Sequence, residues 1–265
     1  MQNIASEISA SAPLLAVKKL KVNFGGIAAL ADVSFCVEPG IICGLIGPNG
    51  AGKTTLFNCI SRLYNPSSGD IIFEGSSLLR EQASRIARLG IGRTFQNLAL
   101  FDSLSVWSNV LTGRHCRLRA SMLGDILRLP SVRDEERESA RAVDELIEFL
   151  SLRTVRNAIV GDLPFGVRKR VELARALVSQ PKLLLLDEPA AGLNHEDVEA
   201  LRTLIIGLRE RFRITILLVE HHLNLVMRVS DQVIALEFGR KIADGVPGAV
   251  QEHPDVIRAY LGSSQ

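Results

Sequence analysis

Short, uninterrupted apolar runs recur along this chain and alternate with stretches whose apolar positions repeat at helical spacing. The short runs read as strands buried on both faces, and the helical period reads as amphipathic helices with one face inward. Strands are predicted over residues 15–22, 33–37, 41–46, 71–74, 183–187, 214–220 and 232–237. A helix is predicted to begin near Lys53, straight after the 41–46 run and a glycine-rich loop. Another is opened by residues 163–170. Helices over 134–150 and 196–212 turn Ala140, Val143, Ile147 and Leu150, and Val198, Leu201, Ile205 and Leu208, toward a core. This alternation is that of an α/β protein whose parallel sheet carries helices on its faces. Residues 98–159 break the rhythm: no buried strand is evident there, so the segment reads as a mostly helical insertion between two halves of the core. The charged run 133–138 is expected as a solvated helix start, and residues 1–13 as a disordered tail.

Composition narrows this picture. Of 265 residues, 47% are hydrophobic and 23% charged, which excludes disorder for most of the length. Lys and Arg number 31 against 29 Asp and Glu, so a net charge of +2 gives no electrostatic reason to bind nucleic acid or an acidic membrane. Arg114, Arg117 and Arg119, and Arg168 and Arg170, cluster locally and are expected on a solvated face. The apolar runs 183–186 and 214–219 fall far short of the ~20 residues that span a bilayer. The N-terminus lacks a basic start followed by an apolar core, so no secretory signal is expected. A mean hydropathy of +0.20 fits strands buried on both sides. Cys36, Cys43, Cys59 and Cys116 form no C-x-x-C pair; Cys36 and Cys43 are expected as small buried hydrophobes in a reducing compartment, with no metal.

Gly47-Pro48-Asn49-Gly50-Ala51-Gly52-Lys53-Thr54 matches G-x-x-x-x-G-K-[ST] after an apolar strand and at a helix start. Glycines let consecutive N–H groups turn into a concave anion site, and the helix adds the positive end of its dipole. Lys53 then reaches the outer phosphates, and the Thr54 hydroxyl binds Mg²⁺. Four leucines, 183–186, deliver Asp187 and Glu188 to the C-terminal end of a buried strand, where ligands bind in open α/β sheets. Asp187 suits Mg²⁺, and Glu188 suits a group that orients or deprotonates an attacking water. These elements together describe a nucleotide hydrolase.

With its other motifs added, the chain resembles the nucleotide-binding subunits of ABC transporters over essentially its whole length, from about residue 15 to 262. The carriers are Phe24 before the phosphate loop, Gln96 in Arg93-Thr94-Phe95-Gln96-Asn97, a signature at 163–167, Ala191-Gly192-Leu193-Asn194, and His221 after an apolar strand. The forms GRTFQN, DEPAAGLN, VEH-x-LNLVM and HPDVIRAYLG are similar to the larger ATPase subunit of branched-chain amino acid importers. The resemblance implies a RecA-like P-loop core over 14–97 and 160–265, an antiparallel β subdomain, and a helical subdomain inserted at 98–159. It implies that Phe24 stacks on adenine, that residues 47–54 and Thr55 hold the phosphates of ATP, and that Thr54, Gln96 and Asp187 serve Mg²⁺. Glu188, His221 and Gln96 become the catalytic set. Pro164, Phe165 and Gly166 become the signature residues that meet nucleotide on a second subunit. The partners implied are a second ATPase subunit (a sister or a second copy), membrane-spanning permease subunits near Gln96 and residues 98–107, and, indirectly, an extracytoplasmic solute-binding protein. The place implied is peripheral, on the cytoplasmic face of the inner membrane.

Two departures stand out. Where LSGGQ is common, this chain has Leu163-Pro164-Phe165-Gly166-Val167, so the serine that meets the γ-phosphate is Pro164, without hydroxyl or N–H. Proline does suit a helix start, and the N–H groups of Phe165 and Gly166 stay available. His195 stands where a proline is usual. Import of urea, amides or aromatic acids, and lipopolysaccharide export, are the alternatives within transport. The spacing of Lys53 and Asp187 leaves no room for the long coiled coils of chromosome-organising ATPases, and the intact motif set speaks against a non-hydrolysing regulator.

Overall fold

The computed structural model describes residues 12–95, 98–117 and 130–261. β1 (Leu15–Phe24), β2 (Ile27–Val37), β4 (Ser68–Phe73) and β5 (Ser76–Ser77) make an antiparallel sheet in the order β2-β1-β4-β5. The second sheet has the order β10-β9-β3-β8-β7-β6. Its members are β3 (Ile42–Ile46), β6 (Ile91–Arg93), β7 (Leu183–Asp187), β8 (Thr215–Val219), β9 (Gln232–Glu237) and β10 (Arg240–Gly245). All of its neighbouring pairs run parallel except β9 and β10.

Every residue of β3, β7 and β8 is buried, the observation that the mean hydropathy foreshadowed. Alternate side chains serve two cores, as the period of two demands. Leu184, Leu186, Ile216 and Leu218 pack toward the helices, whereas Leu183, Leu185, Leu217 and Val219 pack toward the antiparallel sheet. Between β6 and β7 the described residues carry α3 (Val106–Thr112), α4 (Pro130–Phe149) and α5 (Phe165–Leu177), after α1 (Lys53–Ile60) and α2 (Ile86–Leu89). α6 (His195–Phe212), α7 (Leu223–Val229), α8 (Pro247–Gln251) and α9 (Pro254–Leu261) follow. Asn194 caps α6 by accepting the Asp197 N–H at 2.9 Å, a use that asparagine performs well.

Several expectations are corrected. β6 is Ile-Gly-Arg and β10 an edge strand with two basic residues and an aspartate, so neither shows an apolar run. Cys36 lies on the exposed face of β2 and is not a buried hydrophobe. Cys43 and Cys59 are buried, and burial pushes both thiols up, Cys59 to about 11. Of the arginines expected on a solvated face Arg117 is exposed, whereas Arg114 is buried and Arg168 and Arg170 are half-buried, and all four make structural bonds. Arg114 is 5% exposed and donates to Val178 O and Glu138, and Arg117 donates to Ser179 O and Gln180 O. Arg168 pairs with Asp102, and Arg170 donates to Leu150 O. Arg119 lies outside the described residues.

Candidate active site

The strand order puts β8 between β3 and β7, and the register levels their ends: Leu45 and Asp187 both pair with Val219. The turns after three parallel strands therefore meet at one edge. They are the loop 47–52, the pair Asp187 and Glu188, and the turn Glu220-His221. Sequence-distant motifs become neighbours because parallel strands share a direction.

The glycine loop is tightly seated. A Cβ on Gly47 would lie 2.2 Å from Leu236 O, and one on Gly52, at φ 102°, would lie 2.7 Å from Ala29 O. Only glycine lets the loop approach the β9 backbone and the β2 backbone this closely. Pro48 O accepts the Ala51 N–H at 3.2 Å, and Asn49 and Gly50 are exposed at the tip. α1 starts at Lys53 with no side-chain cap and no acidic residue in its first turn. The first-turn N–H groups of Lys53, Thr54 and Thr55 thus face a concavity without a competing carboxylate from the helix, which suits a phosphate. Lys53 is 5% exposed, and its Nζ donates to Gly47 O at 2.6 Å and Pro48 O at 3.0 Å. Burial lowers the Lys53 ammonium from its ordinary value, opposed by the carboxylates of Glu188 and Asp187. Thr54 is exposed and Thr55 half-buried.

Asp187 is 5% exposed, and burial raises its carboxyl above the usual range, against the pull of Arg93. Arg93 Nη2 donates to Asp187 Oδ2 at 2.9 Å, while its Nη1 donates to Asn58 Oδ1 at 2.8 Å and Ser61 Oγ at 3.0 Å. One arginine thus ties the carboxylate to the helix that the glycine loop starts. Only Oδ2 is hydrogen-bonded among the described residues, so Oδ1 and the Thr54 hydroxyl are oxygen donors of the type Mg²⁺ takes. Sequence reasoning missed Arg93, because β6 is too short to announce a strand and the partner Asp187 is remote in sequence.

Glu188 adopts φ 48°, in the left-handed region that disfavours non-glycine residues. Its N–H donates to Val219 O at 2.9 Å, and its Oε1 lies 2.6 Å from His221 Nε2. The two residues expected to act separately are therefore in direct contact. Phe24, 48% exposed, meets Tyr64 edge to face with centroids 5.3 Å apart. Tyr64 was not singled out, because an aromatic after a helix carries no positional signal. Pro164 is the N-cap of α5, one position earlier than the first turn, and Phe165 and Gly166 follow it, all three exposed. No hydrogen bond or ion pair among the described residues joins them to the glycine loop of their own chain. Gln96 lies outside the described residues.

The family model described as "ABC transporter" matches residues 30–191. That described as "Branched-chain amino acid ATP-binding cassette transporter" matches 240–264. The chain is 41% identical to the high-affinity branched-chain amino acid transport ATP-binding protein LivG of Escherichia coli strain K12, over 96% of this chain and 100% of that protein. It is 39% identical, with the same coverage, to the corresponding protein BraF of Pseudomonas aeruginosa. A crystal structure of the ADP conformation of an ATP-binding cassette from an ABC transporter superposes with a TM-score of 0.82 at 30% identity, covering 95% of this chain and 100% of that one. A nucleotide-free cassette gives a TM-score of 0.79 at 28% identity, with coverage of 94% and 99%.

Proposed function

The chain belongs to the ATP-binding subunits of ABC transporters, and on that premise we propose that it hydrolyses ATP to drive uptake of branched-chain amino acids. The observation that carries the reading is the meeting of Lys53, Asp187, Glu188 and His221 at the ends of three adjacent strands. Residues 47–55 cradle the phosphates, with Lys53 leaving the loop carbonyls for the γ-phosphate. Phe24 stacks on adenine, braced by Tyr64. Thr54, Asp187 and Gln96 would hold Mg²⁺, which neutralises charge on the phosphate oxygens. Glu188 orients and deprotonates the attacking water, and His221 holds Glu188 and contacts the γ-phosphate. Catalysis then consists of positioning and electrostatic stabilisation.

By holding Asp187 Oδ2, Arg93 would leave Oδ1 for the metal. Arg93→Ala is expected to raise the Mg²⁺ concentration needed for half-maximal ATP turnover about 10–100-fold, the usual effect of losing such a supporting contact. An unchanged requirement in a Mg²⁺ titration would remove Arg93 from this role.

The signature residues complete a site on another subunit, because Pro164–Gly166 are exposed and unconnected to their own glycine loop. Two subunits, this chain with a sister or a second copy, stack head to tail around two nucleotides. Pro164 weakens closure by withholding a hydroxyl. Pro164→Ser is expected to raise the ATP-dependent dimer fraction and turnover several-fold, about the net worth of one ordinary hydrogen bond. Sedimentation with ATP checks it, and no change in either quantity contradicts it.

Among the described residues no helix is long and apolar enough to cross a membrane. The subunit sits peripherally on the cytoplasmic face, against permease subunits that receive cargo from an extracytoplasmic binding protein. The exposed Phe95, Phe101 and Leu104 supply an apolar docking edge for the permease. Phosphate release by the purified chain, alone and with its sister subunit, tests the paired site. Turnover per subunit is expected to rise with protein concentration. A rate independent of concentration in both preparations would mean that one subunit is complete by itself.

A further inference from the structure

Glu220 is 1% exposed, and both oxygens of its carboxylate accept N–H bonds. Oε1 accepts from Ala190 N at 2.5 Å, on the loop that follows Glu188. Oε2 accepts from His221 N at 3.0 Å and His222 N at 3.3 Å, and lies 3.2 Å from His222 Nδ1. The same loop is gripped from its other side. Lys169, on α5, donates from Nζ to Pro189 O at 2.9 Å and Ala191 O at 2.6 Å. Three consecutive residues after Glu188 are thereby held through one N–H and two carbonyls by a carboxylate and an ammonium. Charge-assisted bonds of this kind in a buried setting are strong and directional.

We propose that Glu220 is a positioning residue for ATP hydrolysis, locking the turn that carries His221 to the loop that carries Glu188. The proposal rests on the hydrolytic reading above. The 2.6 Å contact between Glu188 and His221 joins side chains just past the ends of two separate strands, whose backbones are tied by the β7–β8 register as far as Asp187 and Val219 and by the Glu188 N–H bond to Val219 O. Beyond that point Glu220 bridges the two turns through Ala190 N on one side and His221 N and His222 N on the other. Lys169 extends the brace to the helix whose start is the signature, where the Phe165 ring also lies 5.1 Å from Lys169 Nζ. Burial lowers the Lys169 ammonium from its ordinary value, and the carboxylates of Glu220, Glu172 and Glu188 raise it back.

The substitution that tests this is Glu220→Gln. Because both oxygens accept, an amide of the same shape must turn its NH₂ against either the Ala190 N–H or the His221 and His222 N–H groups. One side of the lock is lost with hardly a change in volume. Glu220→Gln is expected to lower kcat about 10–100-fold, the scale set by a misplaced catalytic pair, with affinity for a fluorescent ADP analogue within about twofold of the intact protein. In a His221→Ala background the same change is expected to cost nothing further, since the contact it supports is already gone. Lys169→Met, which keeps the stem and removes the ammonium, is expected to lower kcat about fivefold at unchanged ADP affinity, and it carries the test if Glu220→Gln does not fold. Intact kcat in Glu220→Gln, an equal loss of kcat and ADP affinity, or an independent loss in the His221→Ala background overturns the proposal. For Lys169→Met, unchanged kcat does so. If the intact protein releases no phosphate, the hydrolytic reading fails instead.

Discussion

Glu188→Gln is expected to lower ATP turnover about 10²–10⁴-fold, the range for removal of a positioned general base. ATP binding should survive, and the subunits should accumulate as an ATP-bound dimer. Glutamine keeps the length and shape of glutamate and can still meet His221 Nε2, which lies 2.6 Å from Glu188 Oε1. What it cannot do is accept a proton from water. The left-handed backbone at Glu188, φ 48°, is held by the N–H bond to Val219 O and does not depend on the carboxylate, so the fold should be unaffected. Phosphate-release kinetics and sedimentation with ATP measure the two halves of this expectation. Turnover at the level of the intact protein would take Glu188 out of the mechanism.

Lys53→Ala has the second large effect, this time on binding. The ammonium sits 5% exposed, and the carbonyls of Gly47 and Pro48 hold it inside the loop. Loss of its charge-assisted bonds to phosphate is expected to weaken nucleotide affinity about 100-fold, with turnover lost as well. Burial lowers the lysine from its ordinary value, so affinity of the intact protein should decline at a less alkaline pH than for an exposed lysine. The sign follows because the protonated form is the one that binds phosphate. Titration with a fluorescent nucleotide across pH checks both statements; affinity within twofold of the intact protein in Lys53→Ala contradicts the first.

Much of this architecture is legible in the sequence where physical demands are extreme. A strand buried on both faces has no choice but an apolar run, and Leu183–Asp187 and the strand before Gly47 declare themselves for that reason. A phosphate loop has no choice but glycine where a Cβ would strike Leu236 O or Ala29 O. Edge and minimal strands escape, because β10 needs one covered side only and β6 has three residues. Buried charges escape for a different reason: their partners are remote in sequence. Arg93 meets Asp187, Lys169 meets Pro189 and Ala191, and Glu220 meets Ala190, each through the fold and none through spacing. Arg114 misleads in the same way, since its buried guanidinium is explained by Val178 O and Glu138, which no local pattern announces.

The most direct measurement of the central claim is uptake of labelled leucine by cells lacking this gene, complemented with the intact protein or with Lys53→Ala, and challenged with unlabelled competitors. Uptake is expected to be restored by the intact protein alone, and to be suppressed by isoleucine and valine in excess. Leucine uptake that is the same with the intact protein, with Lys53→Ala and without the gene would contradict the assignment to branched-chain amino acid import, and would redirect it to urea, amide or aromatic acid import, or to export.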